Sequence, residues 1–359
     1  MTCKRKRLKS IDSLPDDLLF KILLHLPTQD IYDKARLVCR KWYRIIHTHH
    51  FVYEHLQHTT YGLLFQGFVE NAIFLALRQG RIEISRYSFK FIVPVWATCN
   101  GLIVQFDCHN YKAIYITNPI TKQIFVIPSF ISIMVRKHLC GIAYAMASME
   151  YKVVVTHDPD GVLKGQRCAI LTVGVDKSWR NVPTEHLSLE ARKVFNKGPL
   201  ITEGFMHWAM GGGVLTLNVE TETITETPAP VPQVYTRVQM CYVSTGKYLT
   251  LLIRCGQYLW QFWEMKPETG EWRKLPNISL EAQKCRMEQL GFEHSDTIYP
   301  SGWLKYPEVL TFVVSGPDRS SMIFCHLLTQ EIDLIDIPNF TDLHKVVVHR
   351  NSLVWSSDI

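Results

Sequence analysis

A chain of 359 residues and 41.6 kDa has room for one large or two ordinary domains. Hydrophobic residues at 47% and charged residues at 20% match globular proteins, which excludes collagen, coiled-coil rods and wholesale disorder. Of the net charge of +6, five units lie in the first ten residues, at Lys4, Arg5, Lys6, Arg7 and Lys9, so the other 349 residues are nearly neutral and no broad nucleic-acid-binding face is expected.

Residues 1–10 read as a basic, disordered tail. The run Lys4, Arg5, Lys6 and Arg7 is of the nuclear-import type, and no apolar segment follows it as in a secretory signal. No stretch approaches the roughly 20 apolar residues of a membrane span. Neither nucleic acid nor a membrane is an expected partner, and the expected location is nucleus and/or cytoplasm. Ten cysteines, at 3, 39, 99, 108, 140, 168, 241, 255, 285 and 325, form no closely spaced pairs. Such scattered thiols read as reduced core residues rather than disulfides or zinc ligands.

From residue 11 to 58 the apolar spacing is helical. Pro15 suits a first helical turn, and Asp16 and Asp17 complement the positive dipole end. Leu18, Leu19, Ile22, Leu23 and Leu26 then mark a broad apolar face that Pro27 ends. Thr28 is the expected N-cap of a second helix. Ile31, Ala35, Val38, Trp42 and Ile45 continue the stripe, with a break near Cys39. Some 40 residues cannot hide so many large apolar side chains internally, so some are expected to face a partner.

The order Leu14-Pro15, Leu18, Ile22-Leu23, Leu26-Pro27, Asp30-Ile31, Val38-Cys39-Arg40, Trp42 and the closing Ile45, Ile46 and Phe51 resembles the F-box. One departure is His50, where many relatives carry a proline a little before the final Phe. The resemblance implies a three-helix module that packs on a Skp-type adaptor and, through it, joins a cullin–RING ubiquitin ligase. The adaptor-binding residues it implies are Leu14, Pro15, Leu18, Ile22, Leu23, Leu26, Pro27, Ile31, Val38 and Trp42. A helical cap on the following domain is the plainer alternative.

From residue 61 to 359 short β-branched and aromatic runs alternate with turn residues. Three segments place a threonine seven residues before a proline: Thr121 and Pro128, Thr221 and Pro228, Thr269 and Pro276. Asp176 and Pro183 keep the same separation, and Thr329 and Pro338 follow loosely. Each reads as strand, tight turn, strand and a proline-marked exit. Repeats near 50 residues indicate propeller blades. Six blades fit the length, with strands from both ends sharing one blade, and seven smaller blades or a β-sandwich are the alternatives. Residues 184–197 and 279–290 are helix-forming insertions between blades.

Cys99-Asn100-Gly101-Leu102, Asn118-Pro119-Ile120-Thr121, Tyr151-Lys152-Val153, Trp179, Gly204, His207-Trp208 and Trp263-Glu264-Met265 resemble the F-box-associated, kelch-like region common in plant F-box proteins. The expected fold is therefore multidomain α+β: a small three-helix F-box, then an all-β kelch-like propeller.

Signals of chemistry are weak. His47, His49, His50, His55 and His58 lack acidic or cysteine partners at ligand spacing, so no metal is expected. Gly211-Gly212-Gly213 lacks the Lys-Ser/Thr of a phosphate loop and reads as a hairpin turn. Glu185, Glu190, Glu203 and Glu293 read as solvated charges, and no catalytic residue or cofactor is expected. Trp208, Trp260, Trp263 and Trp303 either line a recognition surface or, as the default, fill the core. The resulting expectation is a non-catalytic substrate receptor for an unknown target protein. A small-molecule or glycan receptor is the second reading, and an enzyme built on a propeller the third.

Overall fold

Among the described residues, twenty-four short strands pair into six four-stranded antiparallel sheets. The computed structural model describes residues 14–66, 71–89, 95–106, 113–128, 130, 139–157, 167–210, 212–230, 240–289, 297–315, 320–335 and 345–354. The basic cluster at residues 4–7 lies outside them. The innermost strands of the six sheets are Lys345–His349, Val95–Cys99, Leu139–Ala145, Leu200–Thr202, Met240–Ser244 and Thr297–Lys305. Each touches the next around a closed ring, so the sheets are the blades of a six-bladed propeller. Six blades, rather than seven or a sandwich, is the observed answer.

The first blade joins the two ends of the chain. Lys345–His349 pairs antiparallel with Gly62–Gln66, with Gly62 opposite His349 and Gln66 opposite Lys345. Joining the ends removes two free sheet edges at once. The other five blades are the five repeats. In blades 2 and 4 the turn before the outermost strand is built alike. Asn118 Oδ1 accepts from the N–H groups of Ile120 and Thr121 at 2.9 and 3.3 Å, and Asn218 Oδ1 accepts from Glu220 and Thr221 at the same distances. The repeat threonines Thr121, Thr221, Thr269 and Thr329 are each followed by a residue in the left-handed region: Lys122, Glu222, Gly270 and Gln330, with φ of 57°, 55°, 71° and 57°. The proline exits are contact points between blades. Trp179 Nε1 donates to the Pro128 carbonyl at 3.0 Å, and Trp272 Nε1 donates to Pro228 at 3.1 Å.

Strand chemistry follows position. Inner strands are buried on both faces, as along Tyr151–His157, whereas outermost strands such as Thr223–Pro228 alternate in exposure. Trp208, Trp260 and Trp303 are at most 1% exposed, so they are core and not a recognition surface; Trp263 is half-buried. His207 is fully buried between Thr202 and Thr216, whose hydroxyls lie 2.8 and 3.0 Å from its ring nitrogens, and burial lowers its pKa to about 3.

Before the propeller come α1 (Asp16–Leu24), α2 (Thr28–Asp33), a 3-10 turn at Ala35–Leu37, α3 (Arg40–Ile46) and α4 (His49–His58). Among the described residues α4 is a fourth α-helix beyond the three expected, capped by Thr48, whose hydroxyl accepts from the Phe51 N–H at 3.2 Å. Thr28 is not the expected N-cap: Pro27 holds that position, and the Thr28 hydroxyl is buried without a partner. Two inter-blade insertions also form short helices, α5 (Leu189–Arg192) and α6 (Lys284–Gln289).

The helices are not a detached module. Leu19, Leu23, Ile31, Trp42 and Phe51 belong to one buried cluster with Val104 and Ile116 of blade 2, Ile142 and Val153 of blade 3, and Leu353 and Val354 beyond the closing strand. Tyr32 donates its hydroxyl to the Thr121 carbonyl at 2.9 Å. After the closing strand, Asn118 Nδ2 donates to the carbonyls of Ser352 and Val354 at 3.2 and 2.9 Å, and Tyr87 donates to Asn351 Oδ1 at 2.6 Å. Gly101, at φ 82°, permits this close approach: a Cβ there would stand 2.1 Å from Ser352 Oγ. The final described segment therefore fits between helices and blades.

Candidate functional site

The helices bury one side against the propeller and leave another apolar side in solvent. Among the described residues, five of thirteen large exposed hydrophobics fall between Leu18 and Tyr43: Leu18 at 49%, Ile22 at 45%, Leu37 at 68%, Val38 at 53% and Tyr43 at 47%. Leu18 and Ile22 lie four residues apart and so share the outward face of α1. Leu37 and Tyr43 line a shallow groove with Cys39 and three arginines, Arg36, Arg40 and Arg44. The Arg36 guanidinium stacks 4.0 Å from the Tyr32 ring centroid and donates to the Tyr32 carbonyl, which fixes one rim of the groove. The surface is therefore apolar with a basic border, suited to a partner that is apolar at its centre and acidic at its edge.

The ten residues singled out in the sequence divide by position. Pro15, Leu18, Ile22 and Val38 are exposed, and Leu14, Leu26 and Pro27 are half-buried. Leu23 and Ile31 are fully buried and Trp42 is 8% exposed. These last three point into the chain's own core, so they shape the helices and do not present a docking face. Leu37 and Tyr43 are outward residues that the sequence reading missed. Their helical spacing resembles that of core positions, and only the packed structure separates the two sides.

The local charges hold the helices in place. Lys41 pairs with Asp16 at 2.7 Å and donates to the Leu14 carbonyl at 2.6 Å, tying α3 to the start of α1. His55 is buried, with Nε2 3.0 Å from the Leu26 carbonyl, and burial lowers its pKa below the usual imidazole value. His47 and His58 contact the backbone carbonyls of Tyr43 and Glu54, each at 2.8 Å. His50, the departure from the family pattern, stacks on Phe20 at 5.1 Å. Among the described residues no three His, Cys, Asp or Glu side chains gather as metal ligands, and no helix is long and apolar enough to cross a membrane.

Residues 11–58 match the family model of the F-box-like domain, and residues 70–240 match the F-box associated beta propeller domain. No curated protein matches the chain. Among solved structures, TolB from Acinetobacter baumannii is similar at 10% identity and a TM-score of 0.45, over 86% of this chain and 73% of that one. An oligogalacturonate lyase in complex with manganese is similar at 7% identity and a TM-score of 0.44, over 83% of this chain and 92% of that one.

Proposed function

The chain is an F-box protein with a C-terminal F-box-associated β-propeller, and from that we propose that it is the substrate-receptor subunit of a Skp–cullin–F-box ubiquitin ligase. The observation that carries this reading is the unburied side of the helices, with Leu18, Ile22, Leu37, Val38 and Tyr43 in solvent on an otherwise well-packed module. A Skp-type adaptor covers that side, and the basic rim from Arg36, Arg40 and Arg44 pairs with acidic groups at its edge. The chain supplies no catalytic residue. Its work is positional: holding a target beside the charged conjugating enzyme makes ubiquitin transfer effectively intramolecular.

The topology favours one face for the target. The helices sit at the end of the propeller where each first strand turns into its second, as at Asn100, and each third into its fourth, as at Thr121. The inter-blade connections, including those with α5 and α6, emerge at the opposite end. The target protein docks there, on loops that a rigid scaffold positions.

Co-purification tests the adaptor assignment. Leu18→Asp with Ile22→Asp is expected to abolish capture of a Skp-type adaptor while the melting temperature stays within a few degrees, because both positions are exposed. Capture unchanged in the double variant would refute the interface. For the basic tail we infer nuclear import: deleting residues 1–9 is expected to move a fluorescently tagged chain from the nucleus to the cytoplasm. An unaltered distribution would remove that role.

A further inference from the structure

We propose that the cavity at the helix-bound end of the propeller axis binds a small carboxylate with an apolar body, the carboxylate at Arg350 and the apolar part in the axial channel. Arg350 follows the closing strand and is only 6% exposed. One terminal guanidinium nitrogen donates to the Leu56 carbonyl on α4 at 3.5 Å, and the other donates to Asn100 Oδ1. Its plane lies 4.8 Å from the Tyr61 ring, and its Nε has no hydrogen-bond partner. All of these neighbours are neutral. A buried guanidinium with an unfilled donor and no anion is costly, and its planar fork matches a carboxylate.

The other wall groups agree with a single anion. His349 beside Arg350 is buried, and that burial lowers its pKa to about 3, so it stays neutral. The one carboxylate lining the cavity among the described residues is Glu203, which is exposed at the mouth and accepts from the Tyr61 hydroxyl at 3.3 Å. Beyond the polar end lies the channel, a cavity of about 170 Å³ walled by Leu63, Trp96, Tyr242, Val243 and Val346. Thr98, Ile201 and Val348 line both spaces, so the two adjoin. At roughly 10–15 Å³ for each water-sized group, the channel takes about 11–17 such groups, room enough for a single-ring apolar body. Tyr53 and Gln57 of α4 close the polar end, so an occupant touches the F-box helix and the propeller turns together and stabilises their junction.

Calorimetric titration of the full chain with phenylacetate, phenylacetamide and inorganic phosphate tests this without the adaptor, so it stands apart from the ligase reading. Phenylacetate is expected to bind one to one, with the amide and phosphate each about tenfold weaker or more, as for the loss of one charged contact or of the apolar body. Arg350→Gln is expected to lose binding by a similar factor. Because Arg350 also tethers α4, the exposed Glu203→Gln is the second variant, expected to bind phenylacetate several-fold more tightly once a like charge leaves the wall. Absence of saturable binding, equal binding of acid and amide, or phosphate binding as tight as phenylacetate would each overturn the proposal. So would affinity unchanged in Glu203→Gln.

Discussion

Deleting residues 345–359 is expected to abolish the cooperative fold of the propeller, not merely to fray its end. The closing strand supplies a full ladder to Gly62–Gln66, and Leu63, Leu64 and Phe65 on that partner are almost completely buried. Without the ladder they would sit on an open apolar edge, an invitation to aggregate. Leu353 and Val354 fill the cluster shared by helices and blades, at about 1.5–3 kcal/mol each for a buried aliphatic side chain. The carbonyls of Ser352 and Val354 also leave Asn118, whose amide is buried. The sum is comparable with the whole stability of an ordinary domain, about 5–15 kcal/mol. Circular dichroism melting and size-exclusion chromatography are expected to show a lost transition and higher-order species. A truncated chain that stays monomeric and melts near the parent temperature would mean that closure does not hold the ring.

Glu222→Ala is expected to cost roughly 3 kcal/mol, near the low end for breaking a buried pair. Glu222 projects from the turn of blade 4 to blade 3, where Lys152 donates to it at 2.9 Å and Arg180 clamps both carboxylate oxygens. The Lys152 side chain is only 7% exposed, so removing its partner strands an ammonium in the wall. Burial pushes the Glu222 carboxyl up, but the hydrogen bonds from Arg180 and Lys152 outweigh it and hold it below the usual 4.5. Asp176 behaves alike: burial raises its carboxyl, while the Thr172 N–H and Arg180 bring it below 3.8. A carboxyl depressed in the folded state stabilises above its unfolded pKa and loses that contribution as pH falls through its folded value. The melting temperature is therefore expected to be flat down to about pH 5 and to drop below about pH 4.5, more steeply in the parent than in Glu222→Gln. Identical acid profiles would remove the network from the account. So would a Glu222→Ala cost under about 1 kcal/mol in denaturant melts.

The sequence was informative where local chemistry repeats. The Asn-x-x-Thr turns at Asn118 and Asn218, the left-handed residue after each repeat threonine and the proline exits recur because each blade solves the same bend. Closure through both ends also follows from the leftover runs outside the five hairpins. What stayed hidden depends on packing two sides at once. Leu23 and Ile22 are neighbours with like side chains, yet one is buried and the other faces solvent, because the helices pack on the propeller along one side only. The axial cavity draws Tyr61, Asn100, Glu203 and Arg350 from four distant turns, and no spacing rule links them. Glu203, expected to be a plain solvated charge, is exposed but sits on that cavity wall. The Lys152–Glu222 pair, 70 residues apart, is invisible to any local pattern.

The position of the closing segment also sets a schedule for biosynthesis. The helices are made first, but Arg350 reaches the Leu56 carbonyl only 294 residues later. At about 5–20 residues per second, that is roughly 15–60 s of translation. Through that interval the inner side of the helices lacks Leu353 and Val354, and the first blade lacks its innermost strand. The nascent helices thus wait on an unfinished platform, and the F-box module reaches its final seat only after every blade has been synthesised.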